Sequence, residues 1–262
     1  MAKKNVNDVC KLCHRKRVLC RSHYLGAALF RLCREAGENP VVMTPQLVTM
    51  SPRQMWAHLL CQECEKRFCD LGERPTMQLL NGKEGFRLLN LMTLAHPFRR
   101  DETGRTIIYS GSDMGIDTAP LAYFALSLLW RGAVHQWKTL KGQTTSVSLG
   151  EYEETIRRYL LGETDFPDDV YVAVGVCLDV GSQNSIFPPH EIRGSKFHSF
   201  SMLARGLWFD VITERGIKDR VSNLCCIRSH KKVLHATSCH RRFLHAGQFI
   251  TKTAKVAANL AG

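Results

Sequence analysis

The chain is predicted to be an α+β protein, with a metal-stapled module at the N-terminus, a helical middle and a small mixed β region at the C-terminus. Three observations carry that expectation. Two Cys-x-x-Cys pairs, Cys10/Cys13 and Cys61/Cys64, fall close to the N-terminus. Apolar residues recur at helical spacing between Thr118 and Leu161. Beyond Pro167, runs of β-branched and aromatic residues replace that periodicity. The shifts divide the chain into a zinc-bound module over 1–75, a mainly helical region over 76–165 and a basic α+β region over 166–262.

The cysteine pairs come first. Two residues between thiolates let a tight knuckle, or the first turn of a helix, aim both sulfurs at one tetrahedral ion. Four thiolates close its shell, so Cys10, Cys13, Cys61 and Cys64 are read as a structural Zn²⁺ site on a treble-clef module. The gap from Cys13 to Cys61 exceeds the usual ribbon spacing and implies an inserted helix and loop. Cys20, Cys33 and Cys69 are further thiols able to exchange with one of the four. Ser22 is placed to cap a helix over Tyr24–Ala36 that ends at Gly37. Asn39-Pro40, Pro45 and Pro52 mark an irregular loop. A second helix is expected from near Glu63 towards Leu71, stopped by Gly72.

In the middle, Thr118 caps a helix with Pro120 in its first turn, which carries Leu121, Phe124, Leu128 and Leu129 inward. Leu149, Tyr152, Ile156 and Leu160 fall on one stripe of another helix, with Gly162 just past its end. Val170–Leu178 and Leu207–Thr213 have the composition of strands.

With 44% hydrophobic and 23% charged residues, the chain has the mix of a globular rather than a disordered protein. Lys and Arg exceed Asp and Glu by 36 to 24, a net charge of +12. Such a surplus draws polyanions, so nucleic acid is the expected partner and an acidic membrane surface the other. The most apolar run, Ala119–Trp130, is shorter than the roughly 20 residues a membrane span needs. Met1–Asp8 lacks the apolar core of a secretory signal, and 11 cysteines without one fit a reducing compartment. The expected location is therefore cytoplasmic.

Between the cysteine pairs stands Ser22-His23, and directly after Cys64 comes Glu65. The order Cys-x-x-Cys, Ser-His, Leu-Leu-Cys-x-x-Cys-Glu resembles the cysteine-bearing branch of the HNH (ββα-metal) endonucleases. It is also similar to phage and bacterial proteins, some of which share a downstream Trp-Arg pair and a Leu-Gly…Ile-Arg stretch, here Trp130-Arg131 and Leu149–Arg157. The nuclease-like match covers about 65 residues. The resemblance implies a second, catalytic Mg²⁺ or Mn²⁺ ion beside the zinc, with His23 as general base and Glu65 as the ligand of the hydrolytic ion. Imidazole with a pKa of about 6.5 accepts a proton at neutral pH, and a carboxylate suits a hard divalent cation. Two positions depart from the pattern. Ser22 replaces an aspartate, and no asparagine precedes Cys61, where Met55-Trp56-Ala57-His58 stands and only His58 offers a substitute. The structural alternative makes His23 the first residue of a helix and Glu65 an exposed first-turn acid favoured by the helix dipole. Glu73 is either a further ligand or a helix-end acid.

The C-terminal segment holds Lys218, Arg220, Arg228, Lys231, Lys232, Arg241, Arg242 and Lys252 with few acids among them, a phosphate-contacting or a solvated face. Cys226, His230, Cys239 and another histidine offer a second zinc set within 225–245, although histidines five apart share no face of a helix or strand. The functional expectation is HNH-like, metal-dependent hydrolysis of nucleic-acid phosphodiesters. The alternatives are a non-catalytic zinc-stabilised module that binds nucleic acid or protein, and a structural protein of a mobile element.

Overall fold

A computed structural model describes residues 6–34, 39–44, 47–82, 85–100, 106–138, 142, 144–178, 183–192 and 194–237. The chain opens with β1 (Val6–Val9) and β2 (Lys16–His23), a hairpin, followed by a short helix α1 (Ala27–Leu32). A second hairpin, β3 (Val41–Thr44) and β4 (Leu47–Met50), precedes β5 (Trp56–Cys61). Helix α2 (Gln62–Phe68) passes through a π-helical turn (Cys69–Glu73) into α3 (Arg74–Leu80), and α4 (Arg87–Leu94), β6 (Arg99–Arg100) and β7 (Thr106–Ser110) follow. Next come α5 (Ala119–Val134), a small hairpin of β8 (Trp137–Lys138) and β9 (Thr144–Thr145), and α6 (Tyr152–Leu161). The remainder is β10 (Val170–Cys177), β11 (Ser185–Glu191), β12 (Ser199–Ala204), β13 (Leu207–Thr213), α7 (Lys218–Val221) and β14 (Val233–Thr237).

The architecture is α+β, as expected. A three-stranded antiparallel sheet, β1-β2-β5, carries the N-terminal cysteines, and a nine-stranded mixed sheet runs in the order β4-β3-β11-β12-β13-β10-β14-β7-β6. The C-terminal β region is therefore larger than the sequence implies. It supplies the centre of the big sheet, whose edges come from β3–β4 and β6–β7. The stretch 76–165 holds three helices of its own but also lends β6 and β7 to that sheet. The proline-marked loop contains β3 and β4, because Val41-Val42-Met43-Thr44 pairs in register with Leu47-Val48-Thr49-Met50.

Helix α5 is the centre of the core. Every residue from Leu121 to Gly132 is buried, as in a helix enclosed on all sides. Phe124 meets Phe209 of β13 on the sheet side, and Phe68 of α2 meets Tyr123 and Trp130 edge-on at 6.0 Å. Gly72, the expected stop of the second helix, does not end it. The helix continues, and a Cβ at Gly72 would lie 3.1 Å from the backbone of Phe124, so the missing side chain lets two helices touch. Gly162, with φ of 80°, does end α6 in the left-handed region. One apolar cluster runs from Cys10 to Ala236.

Candidate metal centre and adjoining cleft

The knuckle forms at the β1–β2 turn. Cys10 N–H bonds to Arg15 O and His14 N–H to Cys10 O, with His14 at φ 56° reversing the chain. Cys61 is the last residue of β5 and Cys64 lies in the first turn of α2, so this strand-to-helix junction brings two more sulfurs to the same point. Lys11 N–H to Leu59 O ties the knuckle to β5. A bulge between β2 and β5, where Leu59 and Leu60 face Cys20, buries three consecutive β5 residues. The four ligand atoms lie within 4.8 Å of one another, and Cys13 Sγ is 4.0 Å from Cys61 Sγ. Sulfurs at about 2.3 Å from a tetrahedral zinc stand about 3.8 Å apart, so a slight contraction seats the ion. Cys10, Cys61 and Cys64 are buried and Cys13 half-buried.

The thiols also carry the electrostatics of a metal site. The hydrogen bond from the Cys64 thiol, helped by backbone amides, holds Cys10 down to about 4 against the upward push of burial. Cys64 is pushed up in turn by its hydrogen bond with Cys10 and by burial. Cys61 N–H points at Cys10 Sγ at 3.3 Å. Four sulfurs this close fit a divalent cation, which would favour their thiolate forms. Cys20, Cys33 and Cys69 stay outside this group.

One residue beyond Cys64, a different cluster begins. Glu65 Oε2 accepts from Arg131 Nη2 at 3.3 Å, and Glu73 Oε1 accepts from Arg131 Nη1 at 2.7 Å. The π-turn keeps Glu65 and Glu73 on one side of a continuous helix. The Arg131 side chain is 1% exposed and its guanidinium lies 4.8 Å from the Phe68 ring. Burial pushes the Glu65 carboxyl up, while Arg131 and the neighbouring Ser22 pull it back. Glu65 is thus no exposed first-turn acid. Its ionic partner is a guanidinium, and the Trp130-Arg131 motif acquires a physical role. The Leu149–Arg157 motif does likewise, since Arg157 donates to the knuckle carbonyl of Leu12 at 2.6 Å while gripping Glu154 with two nitrogens.

His23 is the last residue of β2 and not the start of a helix. Ser22 caps nothing; its buried hydroxyl accepts the Leu60 N–H at 3.0 Å. Burial, then the charges of Arg21 and Arg131, hold the His23 imidazole below its ordinary value. His58 pairs across from Arg21 on the exposed face of the small sheet, its Nδ1 3.4 Å from Leu19 O. It does not join Ser22, which is buried. The residues therefore do not fit a hydrolytic metal ion. The position beside Glu65 and Glu73 is held by Arg131, and among the described residues the four cysteines are the group of three or more whose ligand atoms converge.

His23 instead lines an open cleft of about 470 Å³ with Arg21, Arg53, Trp56, Met55 and Lys138. Lys138 arrives from β8, where neighbouring Trp137 stacks on Tyr24 at 4.7 Å. Among the described residues no carboxylate lines the cleft, and none pairs with Arg21, Arg53 or Lys138. The basic C-terminal segment differs. Arg215 pairs with Glu151, Arg228 with Asp168, Lys231 with Asp113 and Lys232 with Asp117. Sequence spacing had no means of finding this cleft, because its cations come from β2, the segment before β5, and β8.

The second zinc set does not assemble among the described residues. Cys226 is buried in the core, His230 is exposed, and His235 Nε2 lies 2.8 Å from Leu224 O. Cys239, His240, His245, Arg241, Arg242 and Lys252 lie outside the described residues. No helix among the described residues is long and apolar enough to cross a membrane. No family model, curated protein or solved structure matches the chain.

Proposed function

We propose that the chain is a nucleic-acid-binding protein built on a four-cysteine zinc module of treble-clef, HNH-like type, with the zinc holding the fold. The observation that carries this reading is the cleft beside the module. Arg21, Arg53 and Lys138 converge there, and among the described residues no carboxylate neutralises them. The reading is supported by the pairing of β2, which His23 ends, with β5, which leads into α2 and Glu65, although α1, β3 and β4 lie between the two strands in the chain. Binding then depends on phosphate charge. Three phosphate contacts give roughly a 20- to 40-fold loss of affinity between 50 and 200 mM salt. Fluorescence anisotropy with labelled DNA and RNA tests this. Arg53→Glu with Lys138→Glu should abolish binding, whereas Lys231→Gln with Lys232→Gln should leave it nearly intact. Salt-insensitive binding, or none at low salt, contradicts the proposal.

A second reading, hydrolysis, is favoured by one observation: a half-buried, largely neutral His23 sits in the same cleft. A neutral imidazole at a phosphate site is available as a base. If hydrolysis occurs, His23→Ala lowers the rate by about 10²–10⁴-fold with zinc content unchanged. Absence of nicking with Mg²⁺ and Mn²⁺, on DNA and RNA, leaves the binding module as the function.

A further inference from the structure

Four tryptophans are present in the chain, and three of them are packed away. Trp130 is fully buried, Trp137 is 1% exposed and Trp208 is 6% exposed, whereas Trp56 is 45% exposed in the wall of the basic cleft. A lone exposed aromatic is ordinary on a surface. This one is also held in place. In the β2–β5 register, His23 faces Trp56 and Arg21 faces His58, which puts Arg21 diagonally across from the indole on the same face. The Arg21 guanidinium lies 3.9 Å from the Trp56 ring centroid, and the His58 ring meets the indole edge-on at 5.7 Å. A cation over one face and a ring against the edge fix the indole before any ligand arrives. Arg53, Lys138 and the uncharged Gln54 line the same space, with Pro52 and Met55 as apolar wall.

The cleft thus combines a fixed aromatic with cations on its rim. In a duplex both faces of each base are covered by neighbours, so only an unpaired base can lie on a protein ring. We infer that the cleft binds single-stranded nucleic acid, with a base stacked against Trp56 and the flanking phosphates on Arg53 and Lys138. The inference rests on the nucleic-acid reading above and narrows it. The volume of about 470 Å³ is that of a small-molecule site, within the range of about 300–1,000 Å³, and suits a nucleotide rather than a groove-filling double helix.

The test uses the full zinc-loaded chain with oligo-dT, oligo-rU and a hairpin duplex of equal length. Four tryptophans emit, so the quenching that is present in the wild type and absent in Trp56→Ala reports stacking on this ring. The expected result is that a single strand binds more tightly than the duplex at matched salt and quenches the emission. Trp56→Ala should weaken single-strand binding by about 5- to 150-fold, the span measured for loss of one stacking ring. Its salt slope and zinc content should not change, and Trp56→Phe should retain most of the affinity. Tight binding of either oligo-dT or oligo-rU supports the inference. Equal binding of single strand and duplex with no quenching overturns it while leaving the nucleic-acid reading intact. An unchanged affinity in Trp56→Ala overturns it in the same way. No binding of any of the three at low salt overturns both.

Discussion

Two clusters of acidic groups, both largely withdrawn from water, begin at adjacent residues of α2, and they solve the same electrostatic problem in opposite ways. At Cys64 four sulfurs crowd within 4.8 Å of one another. At Glu65 two carboxylates meet a guanidinium brought from α5. Taking a charge out of water costs several kcal/mol unless it is paired; the first cluster could hold a metal ion for its thiolates, whereas the second has a guanidinium of the chain itself. Burial of an acidic residue near a zinc motif is therefore no sign of a second metal until its partner has been identified.

The comparison breaks most violently at the cysteines. Zinc binding contributes about 10–16 kcal/mol in small zinc-dependent folds, comparable to or above a domain's whole stability of about 5–15 kcal/mol. Cys64→Ser or chelation should release the metal and collapse the β1-β2-β5 module, read as a large fall in melting temperature together with loss of bound zinc. Next is the guanidinium. Arg131→Met leaves Glu65 and Glu73 without their cation at the edge of the core, and should cost about 3–5 kcal/mol in denaturant unfolding. Adding Glu65→Gln and Glu73→Gln should recover much of that loss. If Arg131→Met alone is neutral, the cluster does not depend on its cation.

Smaller effects sharpen the same contrast. Arg157→Met strands the Leu12 carbonyl of the knuckle and should cost about 1.5–3 kcal/mol, the range for a hydrogen bond to a charged group, with faster loss of zinc to a chelator. His23 gives the least. Its folded pKa lies below the ordinary value of 6.5. Between the two values the unfolded chain binds a proton that the folded chain has released, so this contribution to stability rises with pH across that window. It is lost as the pH falls from 6.5 towards the folded value. His23→Asn should flatten the dependence of melting temperature on pH there, and an unaltered curve would assign the slope to other groups.

What the sequence made legible was local. Helices α5 and α6 were readable from Pro120, Gly162 and a 3.6-residue stripe, and β10 and β13 from their β-branched runs. The four cysteines were readable because each pair carries its geometry within four residues. What was missed depends on residues far apart in the chain. Arg131 lies 66 positions from Glu65, and nothing in spacing foretells that a guanidinium would occupy the place reserved for an ion. Gly72 looked like a helix stop because its contact, the backbone of Phe124, belongs to another helix. Ser22-His23 looked like a cap before a helix because Ser, at a boundary, serves caps and strands alike until Leu60 N–H is seen to claim its hydroxyl.

The most direct test of the contrast is metal stoichiometry of the full chain, measured by native mass spectrometry after equilibration with zinc and then with excess Mn²⁺. The account predicts one zinc per wild-type chain, held by Cys10, Cys13, Cys61 and Cys64, absent in Cys64→Ser and unaffected by Glu65→Gln. It also predicts no second tightly held divalent ion in the wild type, because the Arg131 guanidinium already occupies the position between Glu65 and Glu73, paired to both. A folded wild-type chain without zinc, or a second ion that disappears with Glu65→Gln, would contradict it.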